Sequence, residues 1–454
     1  MPLLDRRSAL ILSLLTAGAA PASGATCTWL GGTASWAAAA SWSCGAAPTA
    51  SDDVAIAAGT VTMDTGAPRT VRSLTLTGGT LAGADSLRIT ESLVWEAGTM
   101  TGAGATVVAG PAALRGAASK VLDRELILTG QTEWSDGTLL FRDGGLLRNR
   151  GVFLDTAVGT HAMARAGDVT QAPRVHNQGR WQISSAGTTS NVDVLNEGTL
   201  IVGGGGFSVR APARFAHEPA AVLTGSAMLD LASGAEVAMG GRVEPGGPGA
   251  VGWFEVRGPY PMGPQHVLDI DVTQTVPSSD LLQTRDGTVT IAGRLLVRVA
   301  SPGVLGQGLA VIAHGGSGAL VGCYAPDQID VVDTAGQPLG LAVVATCTGE
   351  AVTIAAAATA GDDRPGADAP SLALRSATPA RRGTPVTLDA SAPGASAARV
   401  DVLDAVGRQV ATLPGPAPGA RRVEVPTDRL PAGLYVVRLV ADGATATRRF
   451  VVVD

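Results

Sequence analysis

A Gly-Thr step before an apolar residue recurs along this chain, at Gly59-Thr60-Val61, Gly79-Thr80-Leu81, Gly98-Thr99-Met100, Gly137-Thr138-Leu139 and Gly198-Thr199-Leu200. The successive intervals of about 20, 19, 39 and 61 residues are close to one, one, two and three units of a single period. Weaker copies near Gly116, Gly159-Thr160 and Gly179 fill the gaps. The register has independent support, because Trp95-Glu96-Ala97-Gly98-Thr99-Met100 aligns with Trp134-Ser135-Asp136-Gly137-Thr138-Leu139. An Asn-x-Gly triplet also recurs, ending at Gly151, Gly179 and Gly198. Asn and Gly both tolerate left-handed backbone angles, so the triplet reads as a repeated corner.

Between corners the chain alternates, as in Ser73-Leu74-Thr75-Leu76 and Ser86-Leu87-Arg88-Ile89. Period two means strand, with one face inward and one outward. Strands this short do not pair as hairpins within one unit, but each can stack on its equivalent in the next unit at about 4.8 Å. The expected fold is therefore all-β, a parallel β-helix (solenoid), with a sandwich of ordinary hairpins as the competing fold. Propeller blades need longer units, and helical repeats would show a 3.6-residue period. Composition agrees: 60 glycines and only 16% charged residues favour turn-rich β structure, while 45% hydrophobic residues are enough to build a core. A net charge of −6, a single lysine at Lys120 and scattered arginines argue against a nucleic-acid partner.

Residues 1–25 read as a cleaved signal peptide: Arg6 and Arg7, an apolar run over 9–15, then small residues ending at Ala22 or Ala25. A lipoprotein signal acylated at Cys27 is the rival reading, with Thr26 standing where a smaller residue is usual. No later stretch is long and apolar enough to cross a bilayer as a helix. Export implies an oxidising compartment for Cys27, Cys44, Cys323 and Cys347. Three pairings are open; Cys27 with Cys44 and Cys323 with Cys347 are the local choices. Zinc is the alternative, without Cys-x-x-Cys spacing or a nearby histidine to favour it. The remaining chain divides into an N-terminal cap at 26–58, rungs at 59–244, a β-rich closing segment or further rungs at 245–359, a linker at 360–371 and a small domain at 372–454.

Three segments resemble known families. Trp29-Leu30-Gly31-Gly32, Trp36, Trp42-Ser43-Cys44, Pro48 and Asp52-Asp53-Val54 resemble the opening of passenger segments in secreted bacterial β-helix proteins. Residues 279–293 resemble their closing segment. The tail resembles the C-terminal sorting domain of type IX secretion cargo, through Thr378-Pro379-Ala380-Arg381, the run Val402-Leu403-Asp404-Ala405-Val406-Gly407-Arg408-Gln409-Val410, Leu430-Pro431-Ala432-Gly433-Leu434-Tyr435 and the closing Arg448-Arg449-Phe450-Val451. Ala377 and Asp454 depart from that pattern, where an Asn and a basic residue are common. The short strands of the tail independently suggest an immunoglobulin-like β-sandwich, with Gly407 and Gly433 at turns needing positive φ. The resemblance implies recognition by the outer-membrane secretion machinery, removal of the domain, and release or attachment at the cell surface.

Candidate chemistry is sparse. Glu96 and Asp136 occupy nearly equivalent rung positions and are the candidate carboxylate pair for glycoside hydrolysis. Lys120 with Asp123, Arg124 and Glu125 is the candidate lyase cluster, and Asp269 with Asp271 the candidate calcium site. The histidines His161, His176, His217, His266 and His314 lack metal-ligand spacing. Gly203 to Gly206 lacks a following helix and reads as a loop. Trp95, Trp134 and Trp181 have two readings: burial in the core or at a corner, which is preferred, or an outward face on which sugar rings could stack. The expectation is a secreted or cell-surface, non-enzymatic passenger that adheres, coats or binds polysaccharide, without cofactor or metal; a polysaccharide lyase or glycoside hydrolase is the alternative.

Overall fold

The computed structural model describes residues 24–453 except 168, 233, 248, 274–278, 301–303, 306–307, 358–369, 377, 393–394, 396, 406, 417–421 and 443. The expected signal peptide and linker lie almost entirely outside these residues.

The chain winds as a parallel β-solenoid with three faces. The first face runs from Thr26–Thr28 through Asp53–Ile56, Gln131–Trp134, Arg180–Ile183 and Val267–Val272 to Ile329–Asp333. The second runs from Thr33–Ser35 through Thr60–Met63 and Leu139–Phe141 to Leu309–Gly315. The third includes Leu146–Asn149, Arg174–Asn177, Asp193–Asn196, Arg214–His217 and Glu236–Met239, and continues as a short parallel sheet of Tyr260–Pro261, Val289–Thr290 and Leu320–Val321. Alternate residues point inward and stack on the same position of the next rung, as Val54, Leu74 and Leu93 do in the core. Burying such aliphatic side chains contributes about 1.5–3 kcal/mol each, before the entropy of ordering the chain is set against it.

The repeat belongs to two corners, not one. Gly59, Gly79, Gly98 and Gly137 turn the chain from the first face to the second, with φ of 92° at Gly98 and 75° at Gly137. Gly198 instead leads into Thr199–Val202 on the first face, closing the corner from the third. Gly110, Gly130, Gly151, Gly179 and Gly198 form a column at that corner. A Cβ on any of the last four would lie 2.1–2.3 Å from the carbonyl oxygen of the glycine one rung before. Close backbone approach therefore dictates glycine here, since none of these takes a positive φ. Gly116 belongs to the first column, because a Cβ on Gly137 would meet its carbonyl oxygen at 2.5 Å, while Gly159 has nothing within 4 Å and belongs to neither.

The solenoid starts earlier than the expected cap boundary. Thr26–Thr28 and Thr33–Ser35 already pair in parallel with the next rung, so 26–58 is itself a rung with a lid. The lid is Trp29, Trp36 and Trp42, packed edge to face at 4.9 and 5.0 Å. Cys27–Cys44 staples it across a sequence separation of 17 residues, and Cys323–Cys347 staples the other end. The pairings are thus the local ones. By loop entropy the first disulfide is worth about 3 kcal/mol. Replacing Cys27 and Cys44 together with serine is expected to lower the denaturation midpoint by that equivalent; an unshifted midpoint would show that the indole packing holds the end alone. Residues 245–356 continue as further rungs, ended by an antiparallel hairpin of Val343–Cys347 and Ala351–Ala356 against Leu309–Gly315.

The tail is a sandwich of two sheets. One holds Ser371–Leu374, Val386–Ser391 and Arg422–Val425; the other holds Ala380–Arg381, Ala398–Asp404, Gln409–Pro414, Gly433–Ala441 and Ala444–Val453. It encloses its own core, including Val400, Val437 and Phe450.

Candidate functional site

Of the two readings of Trp95, Trp134 and Trp181, burial holds and stacking does not: they are at most 1% exposed and point into the solenoid. Their strand positions fall on the inward parity, in line with Leu76 and Leu114 for Trp95 and with Phe153 and Leu200 for Trp181. The indole N–H groups of Trp95 and Trp134 donate to the Ala97 and Gly137 carbonyls at the corner, 3.0 and 3.1 Å away. The rings fill the core and offer no outward face.

The charged candidates are spent on the wall of the solenoid. Period two splits the Lys120 cluster: Lys120 and Arg124 point inward, Asp123 and Glu125 outward. The Lys120 ammonium donates to the carbonyls of Gly116, Ala118 and Asp136, and burial lowers its pKa. The Arg124 guanidinium donates to the carbonyls of Thr101 and Asp85, and burial pulls it down to about 10. Glu125 pairs with Arg148 and Glu96 with Arg115, while Asp136 accepts from the backbone of Gly137. Asp269 is clamped by Arg242 and Arg298, so guanidinium groups fill the place expected for calcium. Among the described residues there is no group of three or more His, Cys, Asp and Glu that could hold a metal. His161 pairs with buried Asp155 at 2.6 Å and stacks on Trp134, and His176 pairs with Glu197.

One buried ladder crosses four rungs. The Asn149 amide donates to Asn177 Oδ1 at 2.7 Å, Asn177 to Asn196 Oδ1 at 2.7 Å, and Asn196 to His217 Nδ1 at 3.0 Å. Each of these amides also donates to a backbone carbonyl of the first face, on Arg180, Thr199 and Val222 in turn. His217 ends the ladder by donating from Nε2 to the Arg242 carbonyl. Burial pushes the His217 pKa down to about 4, with neighbouring His266 at about 3. The unfolded chain therefore takes up a proton at His217 below about pH 6.5 that the folded chain refuses, and stability falls as pH drops from 6.5 towards 4. At its full extent the effect is about 3 kcal/mol. Comparing denaturation of the wild type with His217→Asn, which extends the ladder with another amide, isolates it. The wild type is expected to lose ground as pH falls, and parallel profiles would contradict the assignment.

The sandwich carries the residues of the sorting-like motif as local structure. Asp404 closes the hairpin to Gln409–Pro414, accepting from the Arg408 backbone at 2.9 Å and from its guanidinium at 3.0 Å, with Gly407 at φ 81°. Gly433, at φ 159°, opens a strand rather than sitting in a tight turn. Tyr435 stacks on Phe450 and donates its hydroxyl to the Pro431 carbonyl at 2.7 Å, locking the strand entry.

The last strand of the sandwich also docks on the solenoid, a contact that period and composition do not reveal. Leu281 and Ala313 of the second face cluster with Val451. Buried Arg449 reaches across and donates to Ser279 Oγ at 2.5 Å and to the Ser279 carbonyl at 3.3 Å. Burial lowers the Arg449 pKa to about 10 and raises that of Asp280, beside it, to about 8. Next to this joint lies a cleft of about 320 Å³. Trp253, Glu255, Gln283 and Arg285 form its solenoid wall, and Asp404 and Tyr435 stand on the sandwich wall. Trp253 and Glu255 are register partners of Leu281 and Gln283, so they share the outward parity of adjacent rungs. Of the seven tryptophans, six are buried and Trp253 is 37% exposed.

No family model and no curated protein matches the chain. Among solved structures, a Paenibacillus chitinase described as a cell-surface-expressed multi-modular enzyme aligns at 12% identity over 82% of this chain. This chain spans only 24% of that protein's length, and the TM-score is 0.15, so the likeness carries no functional argument.

Proposed function

We propose that this chain is an exported passenger, secreted or held at the cell surface, that adheres to or binds polysaccharide through its solenoid without cutting it. The terminal sandwich would serve as its sorting domain, engaging the outer-membrane secretion machinery. The observation that carries the reading is the separate, self-cored terminal sandwich behind a twice-disulfide-bonded solenoid, with Asp404, Gly407, Arg408 and Tyr435 of the sorting-like motif building its hairpin and strand entry. The solenoid's candidate acids and its lysine are engaged in ion pairs and backbone contacts, which favours binding over catalysis.

Two experiments test it. Full-length chain incubated with a panel of polysaccharides, with and without calcium, is expected to be retained without new chain ends; cleavage would favour the lyase or hydrolase alternative. In a host with a type IX route, deleting residues 372–454 is expected to strand the chain in the periplasm. Unchanged export would remove the sorting role.

A further inference from the structure

We infer that the cleft between the solenoid's second face and the terminal sandwich is a saccharide-binding site, with Trp253 as its stacking platform and an uncharged pyranose as its ligand. This deepens the polysaccharide-binding reading and rests on it. The cleft volume of about 320 Å³ lies at the small end of the range for ligand sites. It therefore suits one end or a short stretch of a glycan rather than a long buried chain. An indole lies partly open at its edge, although every other tryptophan in the chain is buried. Apolar sugar faces pack on such rings, while hydroxyls need donors and acceptors around the rim.

Those groups are in place. Glu255 stands on the same strand, with Arg285 held 3.5 Å from it, and Gln283 occupies the facing position of the next rung. The Gln283 side-chain amide makes no hydrogen bond to another described residue, which leaves both a donor and an acceptor for a ligand. Asp404 contributes a second carboxylate from the sandwich wall. Glu255 is paired with Arg285 and Asp404 with Arg408, so the lining offers no spare cation for a uronate and suits an uncharged ring. The platform, Gln283, Glu255 and Arg285 all belong to the solenoid, so the main recognition surface stays with the passenger if the sandwich is removed.

The test uses the full chain and short soluble glycans: β-1,4-glucan, chitin and mannan oligomers as neutral probes, and oligogalacturonate as the acidic one. Binding of a neutral oligomer is expected to reduce acrylamide quenching of the tryptophan emission, because it covers the exposed indole. Trp253→Ala is expected to weaken that binding roughly tenfold, equivalent to about 1.4 kcal/mol of stacking. Trp253→Phe, which keeps a ring, is expected to retain most of it, and matching thermal melts establish that both variants fold. Neutral-glycan binding unchanged in Trp253→Ala would overturn this site while leaving the passenger reading standing. Preference for oligogalacturonate would overturn the ligand class. Failure of every saccharide to bind would overturn both the site and the polysaccharide-binding part of the reading.

Discussion

Replacing Asn177 with leucine is expected to destabilise the solenoid by about 4 kcal/mol, although the two side chains are close in size. The substitution removes the acceptor for the Asn149 amide and the donors to Asn196 Oδ1 and the Thr199 carbonyl. All three asparagines are at most 1% exposed, so water cannot replace what is lost. A buried polar group left without its partner costs about 1–3 kcal/mol, and more than one is created here. The same register position carries Val71, Ile89, Val108 and Leu128 in the preceding rungs. The position therefore accepts aliphatics when its neighbours are aliphatic. Changing Asn149, Asn177 and Asn196 together to leucine should accordingly cost less than three times the single-variant loss, because each amide-to-amide bond loses both partners at once, although His217 Nδ1 and the Arg180, Thr199 and Val222 carbonyls still lose a donor. Denaturant midpoints of the two variants decide the matter. A single-site loss below about 1 kcal/mol would mean that the amides are not held as a ladder.

That ladder shows how far the sequence could be read. The Asn-x-Gly triplets marked a real corner, between the third face and the first, but the left-handed backbone invoked for them is absent. Among the described residues the only non-glycine positive φ values are at Asp286 and Asp442. The asparagines are ordinary strand residues whose side chains run along the stack, and a one-dimensional repeat does not say which neighbour a side chain will meet. Local sequence left the parity of Trp95, Trp134 and Trp181 open in the same way. An aromatic beside a glycine corner reads as core or as an exposed platform until the strand register puts it in line with Leu76, Leu114 or Leu200. The solenoid itself was legible because every rung repeats the same local chemistry, as were the disulfide partners, which lie close in sequence. The cleft was not. It joins Trp253 and Gln283 to Asp404 and Tyr435, residues far apart in sequence that no period connects.

Alanine at Gly179 is expected to be as damaging as the loss of the ladder, for a reason that lies wholly in the backbone. Its Cβ would stand 2.1 Å from the Gly151 carbonyl oxygen and 2.8 Å from the Arg150 carbonyl carbon. Neither is the end of a flexible side chain, so relief requires the two rungs to separate at the corner. Separation stretches the bonds from Gly179 to the Asn149 carbonyl and from Arg180 to the Gly151 carbonyl, which are 3.0 and 2.8 Å. It also shifts Gly179 against Gly198, whose own Cβ position is 2.1 Å from the Gly179 oxygen. Overpacking of this kind costs about 3 kcal/mol or more where nothing can move aside. Because each rung contacts mainly its neighbours, the damage should concentrate at one boundary and split the stack into a 24–178 part and a later part that melt apart. Gly159→Ala is the matched control, since nothing lies within 4 Å of its Cβ position. Calorimetry of the two variants should give a broadened or divided transition for Gly179→Ala and a wild-type one for Gly159→Ala. A single unshifted transition in Gly179→Ala would mean that the corner has slack the glycine column does not show.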